Sequence, residues 1–136
     1  MKTAGYSGTP LLAKLGVKEG SRLALIQAPA GFSKWLPALP DGATVSQRGT
    51  GEADVILLFV MSQKDLKSLE ATMKRMPPAA GMLWVAWPKK ASKIVTDLSE
   101  DIIRGAGLSL GLVDTKVCAI DDTWSGLRFN RRKTKT

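Results

Sequence analysis

The sequence predicts a three-layer α/β domain whose mostly parallel, twisted sheet ends in an antiparallel C-terminal hairpin, and three observations carry that prediction. Two apolar runs, Asp54-Val-Ile-Leu-Leu-Phe-Val60 and Gly81-Met-Leu-Trp-Val-Ala-Trp87, are rich in β-branched and aromatic residues and read as strands buried on both faces. Each is followed by a segment whose apolar residues recur at three or four positions, which is helical spacing. The chain then closes on two strand-like stretches, 112–120 and 126–130, around the polar loop Asp121-Asp-Thr-Trp-Ser125, the pattern of an antiparallel hairpin. Strands alternating with helices imply right-handed parallel crossovers, and the hairpin supplies the antiparallel edge.

With 136 residues, the chain falls within the range of one domain and buries a real core without disulfides or metals. Residues 1–130 are expected to form that domain, with an N-terminal helix and no domain-splitting linker, followed by a basic tail, 131–136. Apolar residues at 44% and charged residues at 24% exclude disordered, collagen-like and membrane classes. The lone Cys118 cannot form an internal disulfide, and MKTAGYSGTP lacks the apolar centre of a secretory signal, so a cytoplasmic protein is expected. The longest apolar run, 55–61, holds seven residues, against roughly 20 for a membrane span.

The net charge of +8 is concentrated at one end. Arg128, Arg131, Arg132, Lys133 and Lys135 lie in the last nine residues, leaving 15 basic against 12 acidic groups before them. Such a tail attracts nucleic acid or acidic partners, or else only solubilises.

Element by element, Ser7-Gly-Thr-Pro-Leu-Leu-Ala-Lys-Leu-Gly16 reads as a short helix capped by Thr9, with Pro10 in its first turn and Gly16 past its end. Leu11, Leu12 and Leu15 form its apolar face and Lys14 lies outward. Arg22-Leu-Ala-Leu-Ile-Gln27 is a short buried strand, ended by Ala28-Pro-Ala-Gly31. Residues 32–40, with Trp35 between prolines, permit a helical turn and no long helix. Thr44-Val-Ser-Gln47 is a short strand. Ser62-x-x-Asp65 has capping-box spacing and opens a helix bearing Leu66, Leu69, Met73 and Met76, stopped by Pro77-Pro78. Thr96 or Asp97 is expected to cap a helix carrying Leu98, Ile102, Ala106 and Leu110, closed by Gly111.

This order resembles the second half of the class I methyltransferase fold, a Rossmann-like architecture, in which the last strand runs against the others and inserts beside its neighbour; the first half is abbreviated here. The strings Gly5-Tyr-Ser-Gly-Thr-Pro-Leu-Leu12, Leu83-Trp-Val-Ala-Trp-Pro-Lys-Lys90, Thr96-Asp-Leu98, Val117-Cys-Ala-Ile-Asp121 and Trp124-Ser-Gly-Leu-Arg128 are also similar to those of a bacterial family catalogued as domain of unknown function 3052. That resemblance extends over nearly the whole chain. It implies a fold and transfers no catalytic residue.

In open α/β sheets, ligands bind beyond the carboxyl ends of the strands where the strand order reverses, which here names the loops 28–32, 61–62 and 88–92. The methyltransferase resemblance implies S-adenosylmethionine, held by a Gly-rich first loop and a carboxylate after the second strand. Neither is evident, because 28–31 contain one glycine, Pro29 removes an amide donor, and Gln47-Arg48 stand where the acid belongs. The chain has no histidine, so the commonest general base and metal ligand is missing, and Cys118 alone completes no zinc site. Between Val117 and Ala119, that thiol reads as a packing residue.

Lys89 and Lys90 follow Trp87-Pro88 at a strand's carboxyl end, where their ammonium groups can meet a phosphate or carboxylate that the loop amides also approach. Ser92 and Thr96 add hydroxyls. The plainer reading is a pair of solvated turn charges. Asp121, Asp122 and Trp124 form a second constellation suited to a cationic or planar ligand, although acids in hairpin loops are commonly turn formers and Trp124 also suits packing. Trp84 and Trp87, three apart in a strand, point to opposite faces and anchor two cores. Trp35 is assigned to either a core or a pocket.

Three readings of function follow. A non-catalytic binding or interaction module on a methyltransferase-like scaffold leads, since catalytic groups are lacking. An S-adenosylmethionine-dependent enzyme requires a pocket bordered by Ala28, Gly31, Phe59, Ser62 and Pro88. A binder of nucleic acid or acidic partners uses Lys89, Lys90 and the segment 128–135, and predicts steep salt dependence. Oligomeric state is not readable from one sequence.

Overall fold

The structure, a computed structural model, describes residues 11–47, 51–77 and 80–132. The cap Thr9 and Pro10 expected of the first helix lie outside the described residues, as do the Trp35 side chain and the last four residues of the basic tail. Six strands form one sheet in the order β2-β1-β3-β4-β6-β5: β1 (Arg22–Ile26), β2 (Thr44–Ser46), β3 (Val55–Phe59), β4 (Met82–Pro88), β5 (Leu112–Ala119) and β6 (Trp124–Arg131). The first four run parallel; β6 is antiparallel to both β4 and β5. The hairpin therefore inserts its last strand beside β4, as the resemblance implied, and the connection from β1 to β3 passes through a single outer strand.

Every residue of β3 is buried, as the run of 54–60 requires, and each such side chain contributes about 2 kcal/mol of apolar burial. Alternation divides the core between the two faces of the sheet. Ile56, Leu58, Leu83, Val85 and Trp87 face one layer, where α2 (Leu69–Met73) and α3 (Glu100–Ser109) pack. Val55, Leu57, Phe59, Trp84 and Ala86 face the other, against α1 (Leu11–Leu15) and the Phe32–Trp35 helical turn. Trp84 and Trp87 thus anchor opposite cores, as their spacing predicts. The indole Nε1 of Trp84 donates to the Leu15 carbonyl at 3.0 Å, tying α1 to the sheet. Leu12 and Leu15 are buried, while Leu11 and Lys14 are half-buried.

Local signals differ from the expectations at three places. The helix after β3 begins as a 3-10 turn, Asp65–Ser68, before α2, and the Asp65 carboxylate reaches back to the Met61 amide at 2.9 Å. Ser99, not Thr96 or Asp97, caps α3, accepting from the Ile102 amide. Thr96 and Asp97 are engaged elsewhere: the Thr96 hydroxyl donates to the Met61 carbonyl at 2.6 Å, and Asp97 Oδ1 accepts from the Gln63 amide at 2.8 Å. The buried face of α3 consequently centres on Ile103 and Gly107, and Ile102 is exposed. Trp124 and Ser125, expected in the hairpin loop, belong to β6, because each pairs with β4.

Two residues of the basic C-terminal stretch also lie in the sheet. Arg128 Nε donates to Thr115 Oγ1 at 2.9 Å, and its guanidinium lies 5.9 Å from the Trp84 ring centroid, a cation–π distance. Arg131 is the last residue of β6, and its guanidinium donates to the Met73, Met76 and Pro77 carbonyls at 3.0–3.1 Å. It thereby ties the end of β6 to the turn that follows α2.

Candidate functional site

The strand order reverses between β1 and β3, so the crevice that a ligand would enter in such a sheet lies at their carboxyl ends. Gln27, the residue after β1, occupies it. Its backbone adopts a φ of 59°, which non-glycine residues visit rarely and at a cost. Its amide Nε2 donates to the Phe59 carbonyl at 2.7 Å, and its Oε1 accepts from the Ser68 hydroxyl at 2.9 Å. One side chain therefore bridges the end of β1, the end of β3 and the turn before α2. Sequence reasoning passed over Gln27; the signal was a polar residue closing an apolar strand at a ligand-binding edge.

The neighbouring candidates take structural places. Ala28 packs against the core layer of α1. The Pro29 carbonyl accepts from the Phe32 amide at 3.0 Å, and Gly31, at a φ of 81°, leads into the Phe32–Trp35 turn, a backbone conformation that glycine adopts without penalty. Ser62 is half-buried, and its carbonyl accepts from the Asp65 amide at 3.0 Å. It lies in the seam where Met61 and Gln63 bond to Thr96 and Asp97, and it lines neither opening described below.

The first opening is a cleft of about 270 Å³ between Pro29, Ala30 and Phe32 on one side and residues 121–124 on the other. Its base is an edge-to-face stack: Phe59 meets Phe32 at 4.8 Å and Trp124 at 5.0 Å between ring centroids, favourable separations for aromatic pairs. Trp124, 6% exposed, serves packing first and lines the cleft with what remains. Asp121 is a turn former, because its Oδ1 accepts from both the Thr123 and Trp124 amides at 2.8 Å. Asp122 is exposed.

The second opening, a wide groove of about 930 Å³, runs from the end of β4 to the start of α3. Lys89 and Lys90 border it, joined by Lys93, which the sequence reading omitted, and Trp87 and Leu98 contribute apolar surface. The Lys89 amide donates to the Thr123 carbonyl at 2.8 Å, so one peptide group forms the wall between cleft and groove. Ser92 offers no free hydroxyl: its Oγ donates to the Lys89 carbonyl at 2.6 Å and accepts from the Ile94 amide at 3.2 Å. The single pocket expected from Ala28, Gly31, Phe59, Ser62 and Pro88 is replaced by this division. Phe59 is buried under Phe32 and Trp124, and Pro88 faces the groove.

Cys118 is half-buried in the layer of α1, and burial raises its thiol pKa against the opposing pull of Lys14, Lys116 and Arg128. A thiol held in its protonated form is a poor nucleophile.

These features define an abbreviated methyltransferase-like Rossmann domain, and solved structures agree on the fold. The chain is similar to a SAM-dependent methyltransferase from Aquifex aeolicus, with a TM-score of 0.55 and 18% identity over 88% of this chain and 86% of that one. It is also similar to magnesium protoporphyrin IX methyltransferase from Synechocystis PCC 6803, solved with SAM bound, with a TM-score of 0.55 and 10% identity over 90% of this chain and 74% of that one. No family model and no curated protein matches the chain.

That fold implies S-adenosylmethionine (SAM), and the residues present do not fit it in the manner the fold class uses. Gln27 bridges the crevice, and Pro29 lacks an amide hydrogen where the first loop would cradle the ligand. The residue after β2 is Gln47, whose Nε2 contacts Ser33 Oγ at 3.3 Å, in place of a ribose-binding carboxylate.

Proposed function

We propose that this chain is a non-catalytic binding or interaction module built on a methyltransferase-like scaffold. The observation that carries the reading is the Gln27 bridge across the strand-order reversal. The remaining polar groups at this edge support it: Asp121, Ser92 and Thr96 are engaged in turn and loop hydrogen bonds. Among the described residues, no buried side-chain nitrogen or oxygen lacks a partner.

We also place the chain in the bacterial family catalogued as domain of unknown function 3052, on the strings quoted above; the methyltransferase-like fold which that membership implies supports it. A cytoplasmic setting rests on the single, half-buried cysteine. Ligand binding is assigned to the cleft beside Trp124 and the groove bordered by Lys89 and Lys90, not to Ala28, Gly31, Ser62 or Ser92.

The test is calorimetric titration of the folded protein with S-adenosylmethionine and S-adenosylhomocysteine, alongside a Gln27→Gly variant. The expected result is no heat with the unaltered protein. Micromolar binding by the unaltered protein would replace this reading with that of a SAM-dependent enzyme that uses a rebuilt first loop, which the solved neighbours' fold favours.

A further inference from the structure

The groove at the end of β4 carries an imbalance that the fold does not use. Three lysines, 89, 90 and 93, fall within five residues along its rim. Among the described residues, none of the three forms an ion pair, whereas the groove's two acids, Glu100 and Asp101, are both held by Arg104. The groove therefore presents uncompensated ammonium groups beside carboxylates that are already paired.

Its backbone decides which anion it suits. A compact phosphate is gripped by converging amide hydrogens. Here the Lys89, Ser92 and Lys93 amides donate to carbonyls at 2.8–3.1 Å, the Ile94 amide donates to Ser92 Oγ, and the Leu98 amide to Thr96 Oγ1. Those five amides are thus already engaged, and the charges the rim presents are flexible ammonium groups, which match negative charge spread along a chain better than one phosphate group. Val95, in the same wall, is 95% exposed. An aliphatic side chain of a bound segment can lie against it.

We infer that this groove is a docking surface for an acidic, leucine-bearing segment of a partner protein, with carboxylates meeting Lys89, Lys90 and Lys93 and an aliphatic side chain covering Val95. The inference rests on the binding-module reading and names its partner class. Charge complementarity supports it, as does an open, elongated shape suited to a segment.

The test is fluorescence anisotropy of the full chain with a short fluorescein-labelled peptide of glutamates interrupted by leucines. Saturable binding is expected, weakened about tenfold or more when Lys89, Lys90 and Lys93 are all changed to Glu, and about fivefold by Val95→Asp. All four positions are on the rim, and circular dichroism checks that the variants fold. Absence of saturable binding overturns the inference, as does binding indifferent to these changes. Displacement of the peptide by an equal concentration of oligothymidylate overturns it in favour of nucleic acid. Heat with S-adenosylmethionine in the calorimetric test sinks the module reading while leaving this outcome separately readable.

Discussion

Two glycines in α3, two residues apart, are expected to respond to alanine with opposite signs. Both are in the helix interior, where Ala is favoured over Gly by about 1 kcal/mol. At Gly105 an added methyl meets nothing within 4 Å, so Gly105→Ala is expected to stabilise by up to about that amount. At Gly107 the methyl would overlap Cε1, Cζ and Cδ1 of Phe129, with Cδ1 at 2.8 Å. Phe129 is fully buried in β6, so its ring has no free space to enter and either the helix or the strand must shift. Overpacking of this kind costs about 1–3 kcal/mol, which reverses the helix gain and leaves Gly107→Ala destabilised by up to about 2 kcal/mol. The two variants should therefore differ by the overpacking cost, roughly 1–3 kcal/mol, or about 1 M in urea midpoint at an ordinary denaturant slope. The assay is urea unfolding followed by the fluorescence of the four tryptophans. Equal stability of the two variants would refute the seating of α3 on Phe129, and with it the placement of the helix that forms one wall of the lysine groove.

Two further outcomes follow from local chemistry. Gln27→Ala removes two side-chain hydrogen bonds and keeps a φ of 59°, for an expected loss of about 2 kcal/mol; Gln27→Gly should lose less, because glycine accepts that backbone freely, and the reverse order in thermal unfolding would refute the bridge. In acid, Asp54 and Asp114 are the groups to watch, since hydrogen bonds from Arg22 and Arg104 respectively hold their carboxyls below the ordinary 3.8. A folded-state value that is lowered contributes stability above 3.8 and loses it as pH falls through the lower folded value. The urea midpoint should accordingly drop between about pH 5 and pH 2, by a modest amount because both pairs are solvent-accessible. Asp114→Asn should flatten part of that fall, and a midpoint indifferent to pH across the window would count against both pairs.

What was legible in the sequence was whatever depends on contiguous residues. The runs 54–60 and 81–87 carry their own burial, the spacing of Trp84 and Trp87 assigns them to opposite cores, and the polar loop at 121–123 forces the hairpin. The cap of α3 was not legible, since Thr96, Asp97 and Ser99 are all good caps and only the loop after β3, some 34 residues away, engages the first two. Moving the cap by two or three positions rotates the helix, and so Ile103 takes the buried place expected of Ile102. The site divides in the same way. That Lys89 and Lys90 stand at a strand's carboxyl end follows from the apolar run before them. That the Lys89 amide already has an acceptor in Thr123, and that Lys93 and Val95 share the rim, depends on how residues 89–98 fold back and meet the hairpin loop, which no local spacing records.

Gln27 shows how the carboxyl ends of β1 and β3 are tied together at the strand-order reversal. A crevice open to a ligand leaves the end of β3 with a carbonyl whose partner must be water or the ligand itself, and it leaves the turn before α2 held only by its own backbone. A glutamine after β1 gives that carbonyl a protein donor and fixes the turn through Ser68, at the expense of a left-handed backbone angle. Two hydrogen bonds of about 1 kcal/mol each roughly offset such an angle, so the bridge changes the fold's stability little. On the binding-module reading proposed above, the surface for recognition is the neighbouring edge, where Lys90 and Lys93 face solvent.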